Sequence, residues 1–155
     1  MGRVPRWADD VHVSDTPALE VAVIDANPSD RHGTELVLRS WGHHVIGRTG
    51  SFEGAFDLIR KQRPHVTVVG SELPDGSGPQ LVRRLLAADP GLAVVLVLGR
   101  SAMHELEDTM TCGARGVVLR HGPVAELASA IVVVGDGGRY VSPGVGRGPW
   151  RDSGH

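Results

Sequence analysis

Val66-Thr67-Val68-Val69-Gly70-Ser71-Glu72-Leu73-Pro74-Asp75-Gly76-Ser77-Gly78 is the stretch on which the fold of this 155-residue chain turns. Val66 to Val69 is a short run of β-branched residues without polar alternation, as expected of a strand buried on both faces of a sheet. Pro64 ahead of it forbids a helical residue before the strand, and Asp75-Gly76 behind it is turn chemistry. The run ends at Gly70, a residue with no side chain at the point where a buried strand opens into a loop.

Similar apolar runs recur on either side: Val21 to Ile24, His44 to Ile46, Val94 to Leu98 and Val117 to Leu119. Helix-like stretches alternate with them, which predicts βαβ units and a parallel sheet with helices on both faces. The first helix starts at Pro28 after an Asn27 cap, carries Leu36, Val37, Leu38 and Trp41 as its apolar face, and ends at Gly42. Trp41 is expected in the core. The second follows Ser51 through Ala55, Leu58 and Ile59 and stops before Pro64. The third spans roughly Pro79 to Ala88, with Leu81, Val82, Leu85 and Leu86 inward. The fourth, Ser101 to Thr111, is polar apart from Met103, Leu106 and Met110, so its packing face is thin. The fifth begins near Pro123, carries Leu127, Ala128, Ile131 and Val132, and stops at Gly135-Asp136-Gly137-Gly138. Val133 and Val134 widen its apolar face.

Residues 1–18 and 144–155 are rich in Pro, Gly and Arg without periodicity and are expected to be flexible segments around one domain over 19–143. The formal charge of -2 gives no global field for nucleic acid or an anionic membrane. A single cysteine, Cys112, excludes an internal disulfide. No secretory signal or membrane-length apolar run is visible, so a cytoplasmic location is expected.

The Pro64 to Gly78 segment resembles the third strand and following loop of bacterial response-regulator receiver domains, with Leu73-Pro74 and Gly78 matching the loop. The resemblance extends from Val21 to about Val145. It implies a flavodoxin-like, doubly wound (βα)5 domain of strand order 2-1-3-4-5. In that family the third strand ends in a phosphoacceptor aspartate, and that position falls on Gly70. Two adjacent acids after the first strand bind magnesium together with it; here they are Asp25 and Ala26. The hydroxyl at the end of the fourth strand falls on Leu98 or Gly99, and the lysine after the fifth strand on Arg120. Arginine keeps the charge but not the compact ammonium. Gly113-Ala114-x-Gly116 and Gly137-Gly138-Arg139-Tyr140-Val141-Ser142-Pro143 resemble receivers of the NarL type, which usually continue into a DNA-binding helix-turn-helix. The chain ends 12 residues after Pro143 (155 less 143), too few for such a domain, so direct nucleic-acid binding by this chain alone is not expected.

Each departure carries two readings. Asp25 either contacts a residual ligand or pairs with Arg120 across the crevice, and pairing is favoured because one acid rarely holds magnesium without further ligands. Gly70 either opens space, or locks one signalling state, or records drift after phosphotransfer was lost; all three exclude phosphorylation at that residue. Glu72, Asp75, Asp57 and Asp108 read as solvated charges rather than substitute acceptors. His43 and His44, adjacent in a strand, cannot readily chelate one ion, and scattered surface histidines are expected. Gly47-Arg48-Thr49-Gly50-Ser51 lacks the ending of a P-loop and reads as a turn after the second strand.

The expectation is therefore a phosphorylation-independent pseudo-receiver, not an enzyme, working as a protein-interaction module in signal transduction or transcriptional regulation. It takes no cofactor and no metal, and it pairs with a protein partner or itself, as a homodimer, through a face carrying Met103, Leu106, Met110, Val133 and Val134. The alternative is a sensor that binds a small anionic metabolite among Asp25, Ala26, Gly70, Leu98, Gly99 and Arg120, the last attracting the anion.

Overall fold

The computed structural model describes residues 18–99 and 106–146. Strands β1 (Glu20–Ile24), β2 (His44–Thr49), β3 (Val66–Gly70), β6 (Val94–Leu98) and β7 (Gly116–Leu119) are the five expected runs, in parallel order β2-β1-β3-β6-β7. Between β3 and the next helix a small antiparallel hairpin forms from β4 (Glu72–Leu73) and β5 (Gly76–Ser77). A sixth strand, β8 (Tyr140–Val141), extends the main sheet by pairing parallel to β7, Gly116 with Tyr140 and Val117 with Val141. This edge strand is an addition to the five-strand expectation.

Helices α1 (Pro28–Ser40), α2 (Phe52–Gln62), α3 (Gly78–Ala88), α4 (Leu106–Thr111), α5 (Val124–Gly135) and α6 (Pro143–Gly146) connect and cover the strands. The starts of α1, α2 and α3 follow cap chemistry. Asn27 accepts from the Ser29 and Asp30 amides, Ser51 from the Gly54 amide, and Ser77 and Gln80 form a capping box at α3. Asp75 also accepts from the Phe52 amide at 2.9 Å, so it ties the hairpin to the start of α2 and is not merely a solvated turn residue.

The sheet separates two apolar layers. On one side Phe52, Ala55 and Ile59 of α2 and Leu81, Val82 and Leu85 of α3 pack on Val69, Val94 and Leu96. On the other, Leu38 of α1 and Ala130, Ile131 and Val134 of α5 pack on Val21, Val23, Val68, Val95 and Val97. Alternate residues of β6 thus serve opposite layers, which is why the strands carry no polar face. A third cluster of Leu98, Leu106, Val117 and Val145 lies under α4 and α6.

Several expectations are corrected. Gly47, Arg48 and Thr49 belong to β2 and pair with Ala22, Val23 and Ile24, so no turn begins there. Leu36 lies on the outer side of α1, 54% exposed, and Trp41 is only half-buried at the helix end. The packed domain runs past residue 143, because Val145 is fully buried. His43 is not a surface histidine: its ring is buried, and Nδ1 accepts from the Leu19 amide at 3.2 Å. Burial, with His44 beside it, lowers the His43 pKa. Cys112 is fully packed, its thiol donates to the Thr109 carbonyl, and burial raises its pKa. No helix among the described residues is long and apolar enough to cross a membrane.

Candidate functional site

Strand order reverses between β1 and β3, and open α/β sheets bind ligands in the crevice above that point, at the carboxyl ends of the strands. Four strand ends meet there. Asp25 follows β1, Gly70 closes β3, Gly99 follows β6 and Arg120 follows β7. Backbone pairing fixes their register: the Asp25 amide donates to the Thr49 carbonyl, the Ser71 amide to Val97, and the Arg120 amide to Leu98. The side chains are therefore presented by rigid sheet edges rather than by a free loop.

The crevice is closed by charge. Arg120 Nη1 donates to Asp25 Oδ2 at 2.7 Å, a pair whose side chains are 15% and 6% exposed. The same nitrogen lies 3.0 Å from Asp30 Oδ2, on the first turn of α1. Asp25 Oδ1 accepts from the Asn27 amide at 3.1 Å, and Arg31 Nη1 donates to the Asp25 carbonyl at 2.6 Å. The pairing of Asp25 with Arg120 favoured from sequence is realised. Asp30 was missed; the signal available was an acid at the third residue of a helix that must start beside Asp25.

Gly70 faces this pair directly. A methyl group on its backbone would lie 3.0 Å from Arg120 Nη2 and 3.1 Å from Asp25 Oδ2. The space freed by the missing side chain is therefore occupied by the guanidinium. An acid at this position would force Arg120 to retreat.

Of the two residues considered for the fourth-strand position, Leu98 is core, packed with Leu106, Val117 and Val145. Gly99 borders the crevice, and its amide donates to the buried Ser71 Oγ at 2.9 Å. A hydroxyl thus sits beside Gly99 after all, supplied by the neighbouring strand. Above these groups is an open depression of about 580 Å³ bordered by Asp25, Ala26, Asp30, Glu72, Gly99 and Arg120, among others. Its charge is mixed, with three carboxylates around one guanidinium, and Arg120 is already engaged by two of them. That arrangement disfavours the anionic metabolite considered above.

Nor do these residues fit the magnesium ion of a receiver pocket. One of its three carboxylates is present, that one is bound to a guanidinium, and no group of metal-holding side chains exists among the described residues.

The proposed interaction face is only partly on the surface. Leu106 and Val134 are buried in the core, Met110 and Val133 are half-buried, and Met103 lies outside the described residues. They were grouped as apolar residues of the face formed by the fourth and fifth helices and the strand between them, and of these Leu106 and Val134 pack inward. Among the described residues the exposed large hydrophobic ones are Leu36 and Val124, 54% and 65% exposed, and both border a groove of about 420 Å³ between α1 and α5.

Comparison with known proteins agrees with this fold. A relative 27% identical over 134 residues is the transcriptional regulatory protein MctR of Rhizobium johnstonii, covering 86% of this chain and 63% of MctR. The DNA-binding transcriptional activator DevR/DosR of Mycobacterium tuberculosis is 34% identical over 93 residues, 60% of this chain and 43% of the relative. The chain thus spans less than two thirds of the length of either. A two-component response regulator of the LuxR family from Aurantimonas sp. superposes with a TM-score of 0.80 at 22% identity, over 90% of this chain and all of that structure. The response regulator receiver domain model matches residues 21–132, from the first residues of β1 into α5, and the chain belongs to that family.

Proposed function

We propose that this chain is a receiver that signals without phosphoryl transfer, an atypical module whose output is contact with a protein partner or a second copy of itself in bacterial signal transduction or transcriptional regulation. The observation that carries this reading is the Asp25–Arg120 pair packed against Gly70. Phosphoryl transfer to a receiver needs an acceptor carboxylate and a cation that bridges phosphoryl oxygens. Here the acceptor position has no side chain, and the surviving acid is committed to a salt bridge. Two of the relatives are named for transcriptional regulation, which supports the same setting for this chain.

A contact-based output needs an apolar surface that solvent would otherwise wet. Leu36 and Val124 beside the α1–α5 groove supply one, with Val37 and Leu127 behind them. Asp30 and Arg120 also border that groove, so the ionic cluster sits at the edge of the surface offered to a partner.

The test is incubation with acetyl phosphate and magnesium followed by intact mass, on the wild-type chain and on Gly70→Asp. Neither is expected to gain a phosphoryl group, because Ala26 and Arg120 remain unsuited to hold the cation. An acid-labile adduct on the wild type would overturn the reading. An adduct on Gly70→Asp alone would show that the acceptor was the only missing part.

A further inference from the structure

At the end of the sheet opposite the crevice, α2 closes on Arg63, whose backbone is left-handed at φ 49° and ψ 63° while its amide donates to the Ile59 carbonyl at 3.0 Å. Glycine takes this conformation without penalty and is the usual residue where a helix ends this way, whereas a residue with a side chain takes it at a cost. Pro64 adds to that cost, because it favours extended backbone at the residue before it. Among the described residues Arg63 is the one non-glycine with a positive φ. Its side chain gives the fold nothing in return: the residue is exposed, and its guanidinium makes no ion pair or hydrogen bond among the described residues. Backbone strain kept beneath a charge with no internal partner points to something that the charge meets in solution.

Beside Arg63 is a cavity of about 530 Å³ between the ends of α2 and α3, within the size range of small-molecule sites. Phe56, Ile59, Leu85 and Leu92 give it apolar walls, and they are held in place by the core layer on that side of the sheet. Its charged groups are Arg60, Arg63 and Asp89. Arg60 is paired with Asp57 at 2.7 Å, and Asp89 accepts from the Gly91 amide at 3.2 Å, which leaves Arg63 as the uncommitted charge. One free guanidinium over apolar walls suits a single carboxylate on an apolar body, since the planar fork matches carboxylate geometry. The fixed charge of Asp89 repels a second negative charge, so a phosphate ester is the poorer fit. We propose that this cavity is a binding site for an amphipathic monocarboxylate, its apolar body lying on Phe56, Ile59, Leu85 and Leu92 and its carboxylate held by Arg63. The site is separate from the Asp25–Arg120 crevice and does not depend on how that crevice signals.

Decanoate below its micellar concentration is the probe, followed by amide chemical shifts on the whole chain. Saturable shifts are expected at Phe56, Arg63 and Leu92, and none with acetate, which has the head but not the body. Arg63→Gly is expected to lose roughly tenfold or more in affinity, the worth of a hydrogen-bonded charge pair, while melting no lower than wild type because the left-handed backbone is relieved. Asp89→Asn, which keeps an acceptor for the Gly91 amide, is expected to bind roughly threefold tighter. The proposal is overturned by an absence of saturable shifts, by shifts centred on another part of the surface, or by decan-1-ol binding as well as decanoate. It is overturned equally by an Arg63→Gly that binds like wild type, or by one that melts well below it, since the arginine would then be serving the fold.

Discussion

Arg120→Met removes the charge that Asp25 is built around while retaining part of the stem's packing. Asp25 is 4% exposed and would keep one hydrogen bond, from the Asn27 amide. Breaking a buried pair by deleting one partner costs about 3–5 kcal/mol. The low end, about 3 kcal/mol, applies here because the depression is open to water on one side and Asp30 can be solvated. For a domain of this size that is a fall in melting temperature of roughly 6–12 °C. Asp25→Asn leaves Arg120 with Asp30 and should cost only about 1 kcal/mol, a charge-assisted hydrogen bond weakened rather than lost. The double variant should lose about 2 kcal/mol less than the sum of the two single losses, the coupling expected of groups in direct contact. Urea unfolding of all four proteins, followed by circular dichroism, measures the cycle, with equal slopes confirming that only stability changed. A loss below about 0.5 kcal/mol for Arg120→Met, or strict additivity, would refute the claim that this ion pair organises the crevice.

Acidification should destabilise the protein through His43. Its folded-state pKa lies below the ordinary 6.5, so the unfolded chain takes up the proton first; stability is full above pH 6.5 and falls as the pH drops below it. The slope is at most about 1.4 kcal/mol per pH unit, and His43→Asn, which keeps an acceptor for the Leu19 amide, should flatten it in unfolding titrations across that range. Gly78→Ala should cost about 1–3 kcal/mol in the same assay, because a methyl there would meet the Gly70 carbonyl oxygen at 2.3 Å and the Ser71 Cα at 2.9 Å, backbone atoms that cannot turn aside. Val124→Asp should leave stability within about 0.5 kcal/mol yet weaken self-association or partner binding in sedimentation measurements, since its side chain borders the groove and supports no core. An unchanged dimer, or a wild type with neither dimer nor partner, would count against that face.

The five main strands were legible because a parallel sheet covered on both faces demands unbroken apolar runs, and few other structures do. Cap chemistry made the helix starts equally plain at Asn27 and Ser51, whereas the Ser77 cap one residue before α3 was not read and the helix was expected to start at Pro79. The reading failed where local pattern is weak. Gly47 interrupts the apolar run of β2 and concealed its last three residues, and a two-residue edge strand such as Tyr140–Val141 has no periodicity to detect. Helical spacing groups residues on a face but does not say what the face meets. Leu106 and Val134 were thus assigned to the surface and Leu36 to the core, the reverse of their burial.

The sequence alone determined that the fold is an alternating parallel α/β domain, and its resemblance to receivers aligned Gly70, Ala26 and Arg120 with the acceptor, the second acid and the lysine, the alignment on which the proposed function rests. These are properties of residue type and local order, which need no distances. What became of the vacated space was decided by tertiary structure alone. Asp25 and Arg120 are 95 residues apart in the chain, and only the register of β1, β3, β6 and β7 brings them to 2.7 Å over Gly70. Asp30 joins them because α1 starts where β1 ends, so a carboxylate with no motif of its own becomes the second partner of the guanidinium.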